Sequence, residues 1–93
     1  PVTAVMDLAR LLVATGSADK GLPFFEELRT RDASEEVFRG WALVAAGAGA
    51  GSRILPWLKD FNAVPAEEPF LADLLYYAQK ANDVSLSLLR LPA

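Results

Sequence analysis

The stretch that decides the fold is residues 8–25, which read LARLLVATGSADKGLPFF. One apolar run ends at Gly16, and a second begins at Leu22 after a short polar segment. Apolar residues at spacings of three and four mark one face of a helix, and glycine readily takes the left-handed conformation that closes a helix. The stretch therefore predicts two helices joined by a tight turn at Gly16.

The same pattern returns every 33 residues along the chain. Gly16 is followed by Gly49 and Asn82, and the pair Leu22-Pro23 is followed by Leu55-Pro56. A fixed period of this length with helical patterning is typical of stacked helix pairs, because one pair cannot bury its apolar face alone. We therefore predict an all-α fold, a helix-hairpin solenoid of about 2.5 repeats in one domain, with repeats at roughly residues 1–33, 34–66 and 67–93.

This register also predicts the helices and their buried faces. The helices are expected at residues 2–15, 18–31, 34–46, 53–61, 69–81 and 84–91, with Pro23 and Pro56 in first turns, where the missing N–H costs little. The expected core contains Val5, Leu8, Ala9, Leu12, Leu22, Phe25, Leu28, Phe38, Trp41, Ala42, Ala45, Leu55, Leu58, Phe61, Leu71, Leu74, Leu75 and Ala78.

Composition narrows the possible functions. The chain has 12 acidic and 9 basic residues, a net charge of −3 and no basic block, which disfavours nucleic-acid binding. It contains no Cys and no His, which removes thiol chemistry, histidine catalysis and the usual zinc sites. The uncharged stretch from Gly40 to Ser52 is too short to span a bilayer. We expect no metal, no cofactor and no membrane insertion by this segment, while a cytoplasmic and a periplasmic location both stay open.

The chain is interpreted as a fragment of a longer repeat protein. It opens with Pro1, and its only Met is Met6. Its hydrophobic share of 53% exceeds the usual share of about 45–50%. Some apolar surface is therefore expected to meet a partner or a further part of the parent protein.

Residues 8–25 resemble the tetratricopeptide repeat family. That family places a large apolar residue before a small one midway along the first helix of each repeat, which Leu8-Ala9 and Trp41-Ala42 match and Leu74-Leu75 does not. It also prefers Ala early in the second helix, where this chain has Gly21, Ile54 and Ser87. The resemblance covers nearly the whole chain and implies a protein-binding solenoid.

The resemblance also implies a binding surface on the first helix of each repeat, off the packing stripe. On this chain the partner-binding groove would consist of Met6, Arg10, Val13, Arg39, Leu43, Tyr76, Gln79 and Lys80. Arg10, Arg39 and Lys80 make this surface modestly basic, which suits a peptide that carries a carboxylate.

The last predicted helix forms a second candidate surface. Its apolar residues are Val84, Leu86, Leu88, Leu89 and Leu91, with little polar surface between them. A terminal helix of a solenoid normally has a polar outer face, and a contiguous apolar patch usually marks an interface. We expect this helix to contact either a next repeat or another chain.

Function is predicted by class only. The leading hypothesis is a scaffold for protein–protein interaction, by analogy part of a bacterial envelope or secretion assembly. The first alternative is a self-assembling module that forms a homo-oligomer through the last helix. The second is an enzyme or ligand pocket built from carboxylate pairs such as Glu26-Glu27 and Glu35-Glu36. We expect no enzyme, because adjacent helix residues point about 100° apart and do not converge.

Overall fold

The computed structural model describes residues 2–57 and 69–86. These residues form four α-helices, α1 (Val2–Ala14), α2 (Ala18–Arg31), α3 (Glu35–Gly47) and α4 (Pro69–Lys80), and two 3₁₀ segments, Gly51–Arg53 and Leu55–Trp57. No strand occurs in these two ranges, so the all-α prediction is confirmed. No helix among these residues is long and apolar enough to cross a membrane.

Helix α3 is the centre of the fold. Helices α1, α2 and α4 all pack against it, whereas α1 and α2 make few contacts with each other. The run from Trp41 to Ala46 is buried without interruption, which requires a helix that is apolar all round. A Cβ on Gly40 would lie 2.9 Å from the side chains of Val5 and Phe25. The small residue therefore lets α3 approach α1 and α2 closely.

Three helix ends share one backbone geometry at positions 33 residues apart. Gly16, Gly49 and Asn82 have φ angles of +74°, +78° and +59°. At each end the N–H of the next residue donates to a carbonyl five residues earlier. The donor–acceptor distance is 2.8 Å for the pairs Ser17–Leu12, Ala50–Ala45 and Asp83–Ala78. This is the left-handed Schellman cap, which Gly adopts freely and Asn tolerates.

The predicted bounds of α2 are confirmed, but Pro23 is not in its first turn. It lies in the interior of Ala18–Arg31. Its ring nitrogen cannot donate to the Asp19 carbonyl, so one helical hydrogen bond is missing there. The helix nevertheless continues, because Phe25 is fully buried and anchors the following turns in the core.

Two predicted second helices differ from the structure. Residues 51–57 form two 3₁₀ segments separated at Ile54, in place of the expected start of an α-helix, and residues 58–61 lie outside the described part. Pro56 has no N–H to donate to the Ser52 carbonyl, which disfavours α-helical bonding at this point. The expected helix 84–91 has no helical residue at Val84 or Leu86, and residues 87–91 lie outside the described part.

Most of the expected core is buried. The fully or nearly fully buried members are Ala9, Phe25, Trp41, Ala42, Ala45, Leu74 and Ala78. Leu8 is the exception, because its side chain is exposed on α1. The side chains of Leu58, Phe61 and Leu71 lie outside the described part.

Candidate functional site

Contacts within the chain occupy much of the predicted groove. Arg10 of α1 forms an ion pair with Asp73 of α4 at 3.5 Å, and both helices pack on α3, so this contact spans α3. Leu43, expected on the exposed groove, is fully buried instead. The reason is that α3 is surrounded by helices and has no open face at this position. The expected continuous groove over the first helices is therefore interrupted at its centre.

The basic character of the groove is also reduced. Arg39 pairs with Glu35 one turn earlier at 2.6 Å, and its guanidinium lies 5.0 Å from the Phe70 ring. Met6 and Val13 are partly buried against the core, whereas Lys80 is exposed with its Nζ 5.4 Å from the Tyr76 ring. Two of the three predicted cations thus have acidic partners within the chain.

A cavity of about 660 Å³ lies between α4 and the segment that follows it. It is lined by Ala72, Leu75, Tyr76, Ala78, Gln79, Asn82, Asp83, Val84 and Leu86. Tyr76 is 55% exposed and Val84 is 78% exposed, while Leu86 is fully buried. The structure therefore brings Tyr76 and Gln79 of the predicted groove together with Val84 and Leu86 of the predicted terminal interface. The other members of that interface, Leu88, Leu89 and Leu91, lie outside the described part.

Asp83 holds the far wall of this cavity in place. Its Oδ2 accepts a hydrogen bond from the backbone N–H of Gly51 at 2.6 Å, and its Oδ1 accepts one from the backbone N–H of Ser85 at 2.9 Å. Burial opposes ionisation, but the hydrogen bonds from Ser85 and Gly51 outweigh it and hold the pKa of Asp83 below its usual value. Sequence reasoning identified Asp83 only as a cap and missed its contact with Gly51, a residue distant in sequence.

The interior of the molecule shows how an equivalent cleft is filled. Gly47 of α3 lies in the notch between α1 and α2, where its Cβ position would be 2.9 Å from Val13 and 3.4 Å from Ala18. The residues 66 positions after Val13 and Ala18 are Gln79 and Val84, and both line the cavity beside α4. The cavity therefore occupies the position at which α3 packs in the first helix pair.

A second polar cluster joins α2, α3 and the first 3₁₀ segment. Glu26 Oε2 accepts hydrogen bonds from Trp41 Nε1 at 2.7 Å and from Arg53 Nη1 at 3.1 Å. The guanidinium of Arg29 lies 3.8 Å from the centre of the Trp41 ring. The hydrogen bond from Trp41 is the main reason that the pKa of Glu26 is lowered, with Arg53 and Arg29 adding to it against the effect of burial.

The carboxylate pairs considered for chemistry do not converge where they are described. Glu26 points to Trp41 and Arg53, whereas Glu27 pairs with Arg31 at 3.7 Å. Within residues 2–57 and 69–86, no group of three or more acidic side chains could hold a metal ion. The sequence matches no protein-family model, and no curated protein or solved structure is significantly similar to it.

Proposed function

We propose that this chain is a scaffold for protein–protein interaction, which binds a helical segment of a partner in the cavity beside α4. The observation that carries the proposal is the internal equivalence of that cavity. Gln79 and Val84 occupy the positions of Val13 and Ala18, and in the first helix pair these positions receive α3. A surface that receives a helix in one unit has the shape to receive one in an equivalent unit.

The chemistry of the cavity suits an apolar helix. Its lining is mostly apolar, and Val84 is largely exposed to water, which is unfavourable until a partner covers it. Tyr76 adds an aromatic ring with a polar end, the type of residue that often anchors protein interfaces. The 12 residues of α4 make a surface about 18 Å long, enough for three turns of a docked helix.

The proposed architecture is a helix-hairpin solenoid of the tetratricopeptide type. The common φ values and the common 2.8 Å bonds at the three helix ends support it. In such a solenoid each unit presents a face for the next one, so a binding site at the face of α4 is in keeping with the architecture.

The proposal is tested with a peptide of residues 34–48, the segment that fills the equivalent notch inside the chain. A hydrocarbon cross-link replaces the side chains at Phe38 and Ala42, because a free peptide of this length is only marginally helical. These two positions lie on the face opposite Gly47, so the contact face stays open. Fluorescence anisotropy of the labelled peptide should give a Kd between about 10 µM and 1 mM, as expected for one small helix.

Two variants of the chain separate specific from non-specific binding. Val84→Glu places a charge in the cavity and should abolish binding, whereas Ala33→Glu adds the same charge in the exposed loop before α3 and should not. A peptide carrying Val44→Glu should also fail to bind. Equal binding by both chain variants, or none by the wild-type chain at 1 mM, contradicts the proposed function.

A further inference from the structure

We infer that the occupant of the cavity is α1 of a second copy of this chain, so that copies associate head to tail. The inference rests on the proposed function, since it requires that the cavity accepts a helix. It adds the identity of that helix and the geometry of the assembly.

The first observation is the face by which α3 packs on α1 and α2. Gly40 and Gly47 contact Val5, Phe25, Val13 and Ala18 across this face, and Trp41 and Val44 lie on the same side of the helix between them. The residues 33 positions earlier, on α1, are Asp7, Leu8, Leu11 and Ala14. We call these four residues the free face of α1.

The free face of α1 is exposed although it has the register of a packing face. Trp41 is 1% exposed and Val44 is fully buried, whereas Leu8 is 38% exposed and Leu11 is 60% exposed. In α4 the equivalent of Leu8 is Leu74, which is fully buried. Leu8 and Leu11 are therefore apolar residues in packing positions that no described residue covers.

The second observation is the matching surface at the other end of the molecule. Ala18 is almost fully buried beneath α3, and the residue 33 positions later, Gly51, is also buried. The next equivalent, Val84, is largely exposed at the rim of the cavity. One end of the molecule thus presents the half of the contact that α3 contributes, and the other end presents the half that α1 and α2 contribute.

These two halves are complementary because the same contact already exists inside the chain. In the assembly, Ala14 of the second copy takes the place of Gly47 and lies between Gln79 and Val84 of the first copy. The larger residues Asp7 and Ala14 replace Gly40 and Gly47, but α4 has Asp73 and Lys80 at these positions and still packs on α3. The free face of α1 therefore requires no closer approach than α4 does.

A contact between two different surfaces of the same chain is heterologous, so it does not close after two copies. One helix in one cleft makes a small interface, and interfaces below about 1,200 Å² belong to weak, reversible encounters. The average mass should therefore rise gradually with concentration above the 10.0 kDa of one chain, without a plateau at twice that mass.

Light scattering between about 10 µM and 1 mM tests this with two variants that each block one end. Leu11→Glu charges the free face of α1, and Val84→Glu charges the cavity. Each variant alone should stay monomeric, because every contact needs both surfaces. An equimolar mixture should form a dimer of about 20 kDa, twice 10.0 kDa, and nothing larger, because Leu11→Glu retains the cavity and Val84→Glu retains the free face.

The control Ala33→Glu should associate like the wild type, and far-UV circular dichroism should show equal helix content in all variants. A symmetric dimer formed through the segment after α4 gives a different result, because Leu11→Glu would still dimerise and mixing would restore nothing. That result overturns the inference, as does a wild-type chain that stays monomeric at 1 mM. If the cross-linked peptide binds while the copies do not associate, the inference fails and the proposed function stands.

Discussion

Glu26 connects three parts of the fold through a single carboxylate. Its Oε2 accepts from the indole N–H of the buried Trp41 and from Arg53, and Arg29 stacks on the same indole ring. Trp and Arg side chains can be placed this closely because the carboxylate satisfies both donors at once. The cluster is therefore important for stability, although its members are far apart in sequence.

Replacing Glu26 with Ala should lower the free energy of unfolding by about 1–3 kcal/mol, since the buried indole N–H of Trp41 loses its acceptor. The neighbouring Glu27→Ala is the matched control. Its ion pair with Arg31 is exposed, and the change should cost less than about 0.5 kcal/mol. Urea denaturation at pH 7 measures both, and equal losses for the two variants would show that the Trp41 contact contributes nothing.

At the scale of elements, helix ends are the best-defined feature of this chain. Gly16 has φ of +74°, and a Cβ added there would meet nothing within 4 Å. Any effect of a substitution at this position therefore reports backbone strain and not a steric clash. Gly49 has the same conformation, and Asn82 shows that a non-glycine residue can adopt it.

Gly16→Ala should destabilise the chain by about 1–2 kcal/mol, because the left-handed conformation is costly for a residue with a Cβ. Gly16→Asn should recover part of this loss, since Asn tolerates that conformation. Thermal unfolding of the two variants at one site gives the comparison. An Ala variant as stable as the wild type would mean that this helix end relaxes into another conformation.

The central position of α3 was only partly predictable from its sequence. Trp41 and the small residues after it were expected on one buried face, and their burial follows from the helical period. Leu43 was assigned to a binding groove because the family resemblance places such residues on an exposed face. It is buried because α1 and α4 both lie against α3, and the pattern of a single helix cannot report how many neighbours it has.

At the scale of the whole molecule, two carboxylates attach the first 3₁₀ segment to the rest of the fold. Glu26 binds Arg53, and Asp83 binds the backbone N–H of Gly51. The pKa of each carboxyl is lower in the folded chain than its ordinary value, 4.5 for Glu26 and 3.8 for Asp83. Each group therefore binds its proton more weakly in the folded state than in the unfolded state.

This difference predicts how stability depends on pH. Above about pH 4.5 both carboxylates are ionised in either state and their contribution to stability is complete. As the pH falls below the unfolded values and through the lower folded ones, the unfolded chain takes up protons first, and stability is lost. The free energy of unfolding should thus fall between pH 5 and pH 3, as measured by urea denaturation.

The double variant Glu26→Gln and Asp83→Asn removes these two titrations. It should be less stable than the wild type at pH 7, and its loss of stability between pH 5 and pH 3 should be smaller. A loss identical to that of the wild type would assign the acid sensitivity to other groups.

The candidate site was predictable in its residues but not in its arrangement. Tyr76 and Val84 were both identified from sequence, but as members of two separate surfaces. In the structure they line one cavity, because the turn at Asn82 and the hydrogen bonds of Asp83 fold the following segment back against α4. These contacts join residues on either side of a turn, and no periodic pattern contains them.

The sequence by itself determined the helical class, the bounds of α2 and the positions of the three helix ends. These features depend on local physics, namely the apolar period of a helix and the residues that accept a positive φ. Only the tertiary structure decided which apolar residues are covered. Leu8 and Trp41 have equivalent positions, yet one is exposed and the other buried, because burial depends on whether another helix lies against that face.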